Sequence, residues 1–576
     1  MKLASMMVGL MVALSLGTVQ AAAADGPEGT WQGFLNPSPA AEIRLILRIE
    51  KGEGGALKAM AETPDLKSQP TAKFDEVSFK DGAVQLKKRD GGEFRGKLNP
   101  EGTEIVGEWT KGTVKTPLTF ERVEGAVTPA EVWEGTLEIP GGLKLRIVFH
   151  AVTLKGANVR ATMDSPDQGA FGLKVDTAEI DKESIKFGIK AIQGSYEGKL
   201  DATGSSATGR WKQGLASFPL DLKKVEKVSE VRRPQMPREP FPYDTEEVAY
   251  DSRAKGVRIA GTLTLPEGDG PFPAALLISG SGAQDRDETL LGHKPFLVLA
   301  DDLTRRGIAV LRVDDRGVGS STGDQATATT ADFAEDVRGG VDFLKARPKI
   351  DPRRIGLIGH SEGGLIAPIV ASQGDDIAFI VLMAGPGLPG DQILGAQQTL
   401  ILKASGADPE KIRQSSEAQA RLVAIAKESG DAKAIEEKLK AAMAEMAKSL
   451  PEEERKALAE SDPNSSQVAQ LATPWFRYFL SYDPRPTLAR VHCPVLAVIG
   501  EKDLQVPSKE NLRAVEEAVR SGGNDRITAL ELPGLNHLFQ KAETGAPSEY
   551  ATIEETINPA ALKVIGEWVA DRTRVR

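Results

Sequence analysis

Ile355-Gly356-Leu357-Ile358-Gly359-His360-Ser361-Glu362-Gly363-Gly364 runs from a short apolar stretch into Gly-x-Ser-x-Gly and then into residues able to start a helix. A serine on so sharp a strand-to-helix turn needs small neighbours two positions to either side, because a Cβ at Gly359 or Gly363 would crowd the turn that presents Oγ. Ser361 is therefore a candidate nucleophile, and Leu365-Ile366-Ala367 behind it supply the helix that the turn requires. A serine serving only as a helix N-cap is the weaker reading of the same arrangement.

Outward from that turn, the second half of the chain alternates strand-like and helix-like segments. A hairpin is expected over 246–250 and 257–265, followed by apolar runs at 274–278, 309–313, 355–358, 379–383, 495–499 and 528–532. Helical spacing at 296–306 and 331–346 separates several of these runs. Short buried strands joined through helices predict an α/β fold, a mainly parallel sheet with helices on both faces. Between the fourth and fifth apolar runs the alternation stops, and about 387–492 reads as successive helices inserted as a cap. Its centre, 431–460, is rich in Ala, Glu, Lys and Met, which predicts helix with charged faces in solvent.

Serine needs a general base at neutral pH, most often imidazole. The chain has 5 histidines. His150 falls in a β-rich region, His293 after the first long loop and His492 just before a strand, while His360 is expected to point away on the nucleophile turn. His537, in Pro533-Gly534-Leu535-Asn536-His537-Leu538-Phe539, follows the last strand and so returns to the carboxyl edge of the sheet, where Ser361 lies. A carboxylate must then fix the tautomer of the imidazole and stabilise its cation. Asp503 enters a loop after the run at 495–499, between serine and histidine in chain order, with Glu501 as its nearest competitor.

A tetrahedral oxyanion needs two preorganised N–H donors. The backbone of Glu362 is one candidate, and the second comes from the loop Ser279-Gly280-Ser281-Gly282-Ala283-Gln284-Asp285-Arg286-Asp287, from Ser281 or, alternatively, Gly282. Asp314-Asp315-Arg316-Gly317-Val318-Gly319 lacks the full Gly-x-Gly-x-x-Gly of a dinucleotide loop and reads as a tight, ion-paired turn beside the site.

Ahead of this region the sequence repeats itself. Trp31 and Trp133, Pro64 and Pro166, Phe94 and Tyr196, and Trp109 and Trp211 each stand 102 positions apart. Alternating apolar and polar residues, as in 42–49 and 144–149, predict two all-β units over 24–125 and 126–226, barrel-like or sharing one sheet system. So long a period argues against propeller blades and solenoids, whose repeats run about 20–50 residues. The charged, proline-bearing stretch 227–243 predicts a linker with some stiffness, leaving 244–576 as the catalytic domain. Met1-Lys2, the apolar stretch after it and Gln20-Ala21-Ala22-Ala23-Ala24 have the three regions of a secretory signal. Cleavage after about 1–23 is expected, giving a periplasmic or secreted bacterial protein with no membrane insertion. Cys493 is the one cysteine, so no intrachain disulfide forms, and the net charge of -10 argues against a nucleic-acid partner or an anionic-membrane surface.

These motifs and their order, Ser361, Asp503, His537, resemble the α/β-hydrolase superfamily. More narrowly, the 279–287 loop, the Ser361 turn and Trp475-Phe476-Arg477-Tyr478-Phe479-Leu480-Ser481-Tyr482-Asp483-Pro484 are similar to those of the bacterial esterase D group, often filed with serine aminopeptidase-like hydrolases. The resemblance covers about 240–576 and implies serine carboxylesterase chemistry through an acyl-enzyme on small, short-acyl esters, with a lidded site and no cofactor or metal. The β repeats resemble the N-terminal extension of some of these relatives. An aminopeptidase or amidase of the same fold stays open, as does an envelope- or glycan-binding protein with an inactive hydrolase domain. A polymer or envelope component is the ligand class open to the β repeats, and nothing in the sequence sets the oligomeric state.

Overall fold

Alternation in the first repeat becomes a closed antiparallel meander. In the computed structural model Gly29–Ser38 pairs with Ala41–Lys51, which pairs with Leu57–Glu62, and Val114–Arg122 returns to Gly29–Ser38 through Trp31↔Arg122 and Gly33↔Phe120. Inward positions along these strands, Trp31, Leu47, Ile49, Phe94 and Phe120, are at most 2% exposed and form one core cluster. Each such side chain contributes roughly 1.5–3 kcal/mol by leaving water.

The structure describes residues 26–448 and 466–574, apart from 39, 66–71, 89–90, 112–113, 140–142, 155–157, 169, 215 and 230–231. The expected signal at 1–23 lies outside the described residues, as does 449–460 of the cap stretch. The chain divides into two compact units, one of Met1–Trp133, Phe149–Asp164 and Phe171–Gln193, the other of Glu134–Val148, Ser165–Ala170 and Gly194–Arg576.

The repeat has a structural cause beyond the aromatic positions that reveal it. In the first unit Arg44 donates from Nε to Asp65 (2.9 Å) and from Nη1 to the carbonyl of Thr128 (2.9 Å). In the second unit Arg146 repeats both contacts, from Nε to Asp167 (2.9 Å) and from Nη1 to the carbonyl of Ser229 (2.5 Å). Asp65 and Asp167 follow the repeated prolines Pro64 and Pro166 directly, so each proline turn delivers a carboxylate to a largely buried guanidinium. Breaking one such buried pair costs about 3–5 kcal/mol, because the surviving charge is left unpaired.

The second unit carries an eight-stranded sheet in the order Asp244–Asp251, Arg258–Leu265, Ala309–Val313, Phe272–Ile278, Ile350–His360, Phe379–Met383, Val495–Gly500 and Ile527–Leu532. The first two strands are antiparallel and the remaining six parallel to one another. Helices Pro295–Arg305, Thr330–Lys345, Gly363–Ala371, Ser508–Ser521 and Pro559–Thr573 connect or follow the strands, and separate apolar clusters fill the two sides of the sheet. This is the mainly parallel sheet, covered on both faces, that the alternation predicts, and the α/β-hydrolase fold that the resemblance implies.

Between Phe379–Met383 and Val495–Gly500 lie six described helices, Gly390–Ala404, Pro409–Ala426, Ala432–Ala447, Ser466–Ala472, Pro474–Ser481 and Arg485–Leu488. Asp408, Asp431 and Thr473 start three of them by accepting N–H groups of the first turn, which would otherwise lack a partner. The stretch read as a linker is bonded rather than free: Ser229 is held by Glu134 and Arg146, and Arg233 and Gln235 by backbone groups of 291 and 551–557.

Candidate active site

Strand Ile350–His360 ends one residue before Ser361, and helix Gly363–Ala371 begins two residues after it. Ser361 is held at φ +53, a left-handed conformation that non-glycine residues adopt at a cost. The turn tolerates no bulk beside it: a Cβ on Gly359 would meet the carbonyl of Gly363 at 2.0 Å, and one on Gly363 would meet that of Ile278 at 2.2 Å. Ser361 N–H donates to Met383 (2.8 Å), which ties the turn to the neighbouring strand.

His537 lies in the loop after Ile527–Leu532, framed by Asn536, whose Oδ1 accepts the N–H groups of Leu538 (3.0 Å) and Gln540 (2.9 Å). Nδ1 of His537 meets Asp503 Oδ2 at 2.8 Å. The other oxygen of Asp503 accepts from Gln505 N–H and Val506 N–H, both at 2.8 Å, and the carboxylate is buried. Such anchoring fixes which oxygen faces the ring. Glu501, the competing carboxylate, instead accepts from Gly534 N–H (2.8 Å). Ser361 and His537 line one cavity of about 300 Å³, and Ser361 Oγ has no hydrogen-bond partner among the described residues. In ligand-free sites that contact often tightens only once substrate binds.

The glycine loop after Phe272–Ile278 reaches the serine: a Cβ on Gly280 would lie 3.2 Å from Ser361 Cβ. Gly280 N–H is already spent on Glu288 (2.7 Å). The N–H groups of Ser281, Gly282 and Glu362 donate to no described residue, and of these Ser281 and Glu362 border the cavity that holds Ser361. Gly282 borders a smaller cavity of about 40 Å³ behind the loop.

Three further groups frame the site. His360, expected to point away, is buried with its ring centroid 4.9 Å from that of His537. Its Nε2 donates to the His537 carbonyl (3.1 Å), which can only accept, and its Nδ1 bonds Glu288 (2.9 Å). Burial, the largest single effect, lowers its pKa, but the charge and hydrogen bond of Glu288, the His537 carbonyl and the Asp503 charge together hold the imidazole above its usual value. Glu362 Oε1 accepts from Thr330 Oγ1 and from Trp475 Nε1, both at 2.7 Å, tying helix Pro474–Ser481 to the residue after the serine; burial raises this carboxyl. The turn at 314–319 is ion-paired as its composition predicts, Asp314 with Arg286 (2.7 Å) and Arg316 with Asp336 (2.7 Å).

Asp315, between those pairs, clamps the glycine loop at both ends. It accepts from Ser279 Oγ (2.6 Å) and from Gln284 N–H (3.0 Å). Burial lifts its carboxyl from 3.8 to about 7, against those hydrogen bonds and with the charges of Glu362 and Glu288 acting in the same direction as burial. The folded state therefore holds this proton more tightly than the unfolded chain, and its contribution to stability is lost as pH rises from about 4 through about 7. Asp315→Asn, neutral throughout, is expected to flatten that slope. In paired thermal melts at about pH 5 and about pH 8, the wild type should lose a few degrees more than the variant.

A family model described as alpha/beta hydrolase family matches residues 226–551. Esterase EstD of Thermotoga maritima is 28% identical over 312 residues, 54% of this chain and 65% of that protein, so the match spans just under two thirds of its length. Esterase FrsA of Escherichia coli is 31% identical over 134 residues, 23% of this chain and 29% of its own. Among solved structures, an esterase of Pyrococcus furiosus matches over 58% of this chain and 94% of its own at 15% identity, with a TM-score of 0.34, a likeness too slight to bear on the fold.

Proposed function

Because this chain belongs to the alpha/beta hydrolase family, we propose that it is a serine carboxylesterase acting on small, uncharged, short-acyl esters through an acyl-enzyme. The observation that carries the reading is His537, bonded to a buried Asp503 on one side and bordering the cavity of Ser361 on the other. Ser361 Oγ attacks the ester carbonyl while His537 Nε2 takes its proton and then passes it to the departing alcohol. Asp503 keeps Nδ1 protonated and stabilises the imidazolium. The N–H groups of Ser281 and Glu362 receive the oxyanion, each donor contributing about 3 kcal/mol to the transition state. Water, activated by His537, then releases the acid.

An uncharged substrate is favoured by what the cavity walls offer. Ile393, Leu394, Trp475, Phe476 and Phe479 supply apolar surface, and about 300 Å³ stands at the small end of ligand pockets. Its two glutamates are committed, Glu288 to His360 and Gly280 N–H, Glu362 to Thr330 and Trp475. Each already serves contacts within the protein through Oε1, and Glu288 faces the His360 imidazole, which weighs against an aminopeptidase. The expected export to a bacterial periplasm or medium would place such an esterase among extracellular esters.

Purified protein assayed on nitrophenyl esters of rising acyl length beside aminoacyl anilides tests this reading. Turnover should peak at short acyl chains and exceed that of the anilides by about 10³-fold or more in kcat/KM, a gap of roughly 4 kcal/mol. Anilide turnover equal to ester turnover would overturn it, and so would folded protein whose Ser361 resists a fluorophosphonate probe.

A further inference from the structure

Two loops bordering the cavity are fastened together by a single cation from outside the sheet. The loop at 285–293 brings Leu290 and His293 to the cavity, and the loop at 550–557 brings Thr556. The first is strained, since Glu288 and Leu291 stand at φ +52 and +54, a region that costs a leucine roughly 1–2 kcal/mol. A loop held in such a conformation relaxes unless its surroundings fix it.

Arg233 supplies that fixing. Its Nη2 donates to the carbonyls of Leu291 (2.8 Å) and Ala551 (3.2 Å), and its Nη1 to that of Ile553 (2.9 Å). No described carboxylate forms an ion pair with it, and burial lowers its pKa to about 10. Two residues on, Gln235 donates to the Ile557 carbonyl (2.6 Å) and accepts from Thr556 N–H (2.6 Å). Upstream, Ser229 is gripped by Glu134 through its N–H (2.8 Å) and by Arg146 through its carbonyl (2.5 Å), side chains that belong to the second repeat. The segment between repeat and catalytic sheet is thus held at Ser229, Arg233 and Gln235.

We propose that Arg233 is a positioning residue of the substrate site, holding the 285–293 and 550–557 loops in the one arrangement that shapes the cavity wall beside Ser361. The proposal rests on the esterase reading. Arg233 touches no reacting atom, so its loss acts on binding before chemistry. The charged group is what matters: a neutral side chain of like length cannot donate to three carbonyls, whereas lysine restores some of those bonds.

In the full chain, Arg233→Met should raise KM for the best nitrophenyl ester by about tenfold with kcat changed less than about threefold. Hydrogen exchange should rise in 286–293 and 550–557 and stay level across the Ser361 turn, and Arg233→Lys should recover part of the KM. A fall in Tm with KM and exchange unchanged would overturn the proposal, as would kcat falling in step with kcat/KM. If Arg233→Met does not fold, Arg233→Lys carries the same readings at smaller amplitude, and an unchanged KM there overturns the proposal. Wild-type protein without ester turnover would instead defeat the esterase reading, a result distinguishable from either.

Discussion

Ser361→Ala should lower kcat on nitrophenyl esters by on the order of 10⁵- to 10⁶-fold while leaving the melting temperature within about two degrees of wild type. Loss on this scale is expected because the hydroxyl is the bond-forming atom of the proposed reaction, and no neighbouring group replaces it. His360, the adjacent imidazole, has both nitrogens committed, to Glu288 and to the His537 carbonyl. Stability should survive for a separate reason. Ser361 Oγ has no hydrogen-bond partner among the described residues, and the contact that holds the turn is the backbone N–H to Met383 (2.8 Å), which alanine keeps. Paired steady-state kinetics and thermal melts check both halves. A variant retaining a tenth of wild-type turnover would remove Ser361 from the mechanism, and one that melts far lower would show that the hydroxyl supports the turn.

The sequence makes the sheet legible because its signals are local. The apolar run at 379–383 coincides with strand Phe379–Met383, and the helical spacing at 296–306 with Pro295–Arg305, since periodicity and a proline at the first turn act within a few positions. Contacts that frame the site are of another kind. His360 and Glu288 lie 72 residues apart, Glu362 and Trp475 113, and Arg233 and Ile553 320, so no periodicity links them. The sequence places His360 pointing away on the nucleophile turn, yet the loop after the last strand comes to it. The stretch 227–243 reads as a linker from its prolines and charges, but prolines fix φ without saying what the intervening side chains meet. A half-buried arginine bonded only to carbonyls has no charged partner in the sequence by which to find it.

Asp503→Asn should reduce kcat by about 10⁴-fold with KM little changed, through the tautomer of His537 rather than through lost geometry. Asp503 Oδ1 accepts two backbone N–H groups, those of Gln505 and Val506 at 2.8 Å each. An asparagine must keep its carbonyl oxygen there, because turning its NH₂ toward two donors in a buried pocket would leave all of them unsatisfied. The NH₂ then faces Nδ1 of His537, which held the Asp503 carboxylate at 2.8 Å, and can only donate to it. Nδ1 becomes the acceptor, the ring proton moves to Nε2, and the nitrogen that should take the Ser361 proton is already protonated. Glu501→Gln separates this account from a general need for negative charge near the loop. Glu501 bonds Gly534 N–H (2.8 Å) and has no hydrogen bond to the imidazole, so its neutral variant should stay within about threefold of wild type. Equal losses in the two variants would assign the effect to charge, whereas a large loss confined to Asp503→Asn requires the proton to have changed sides on the ring.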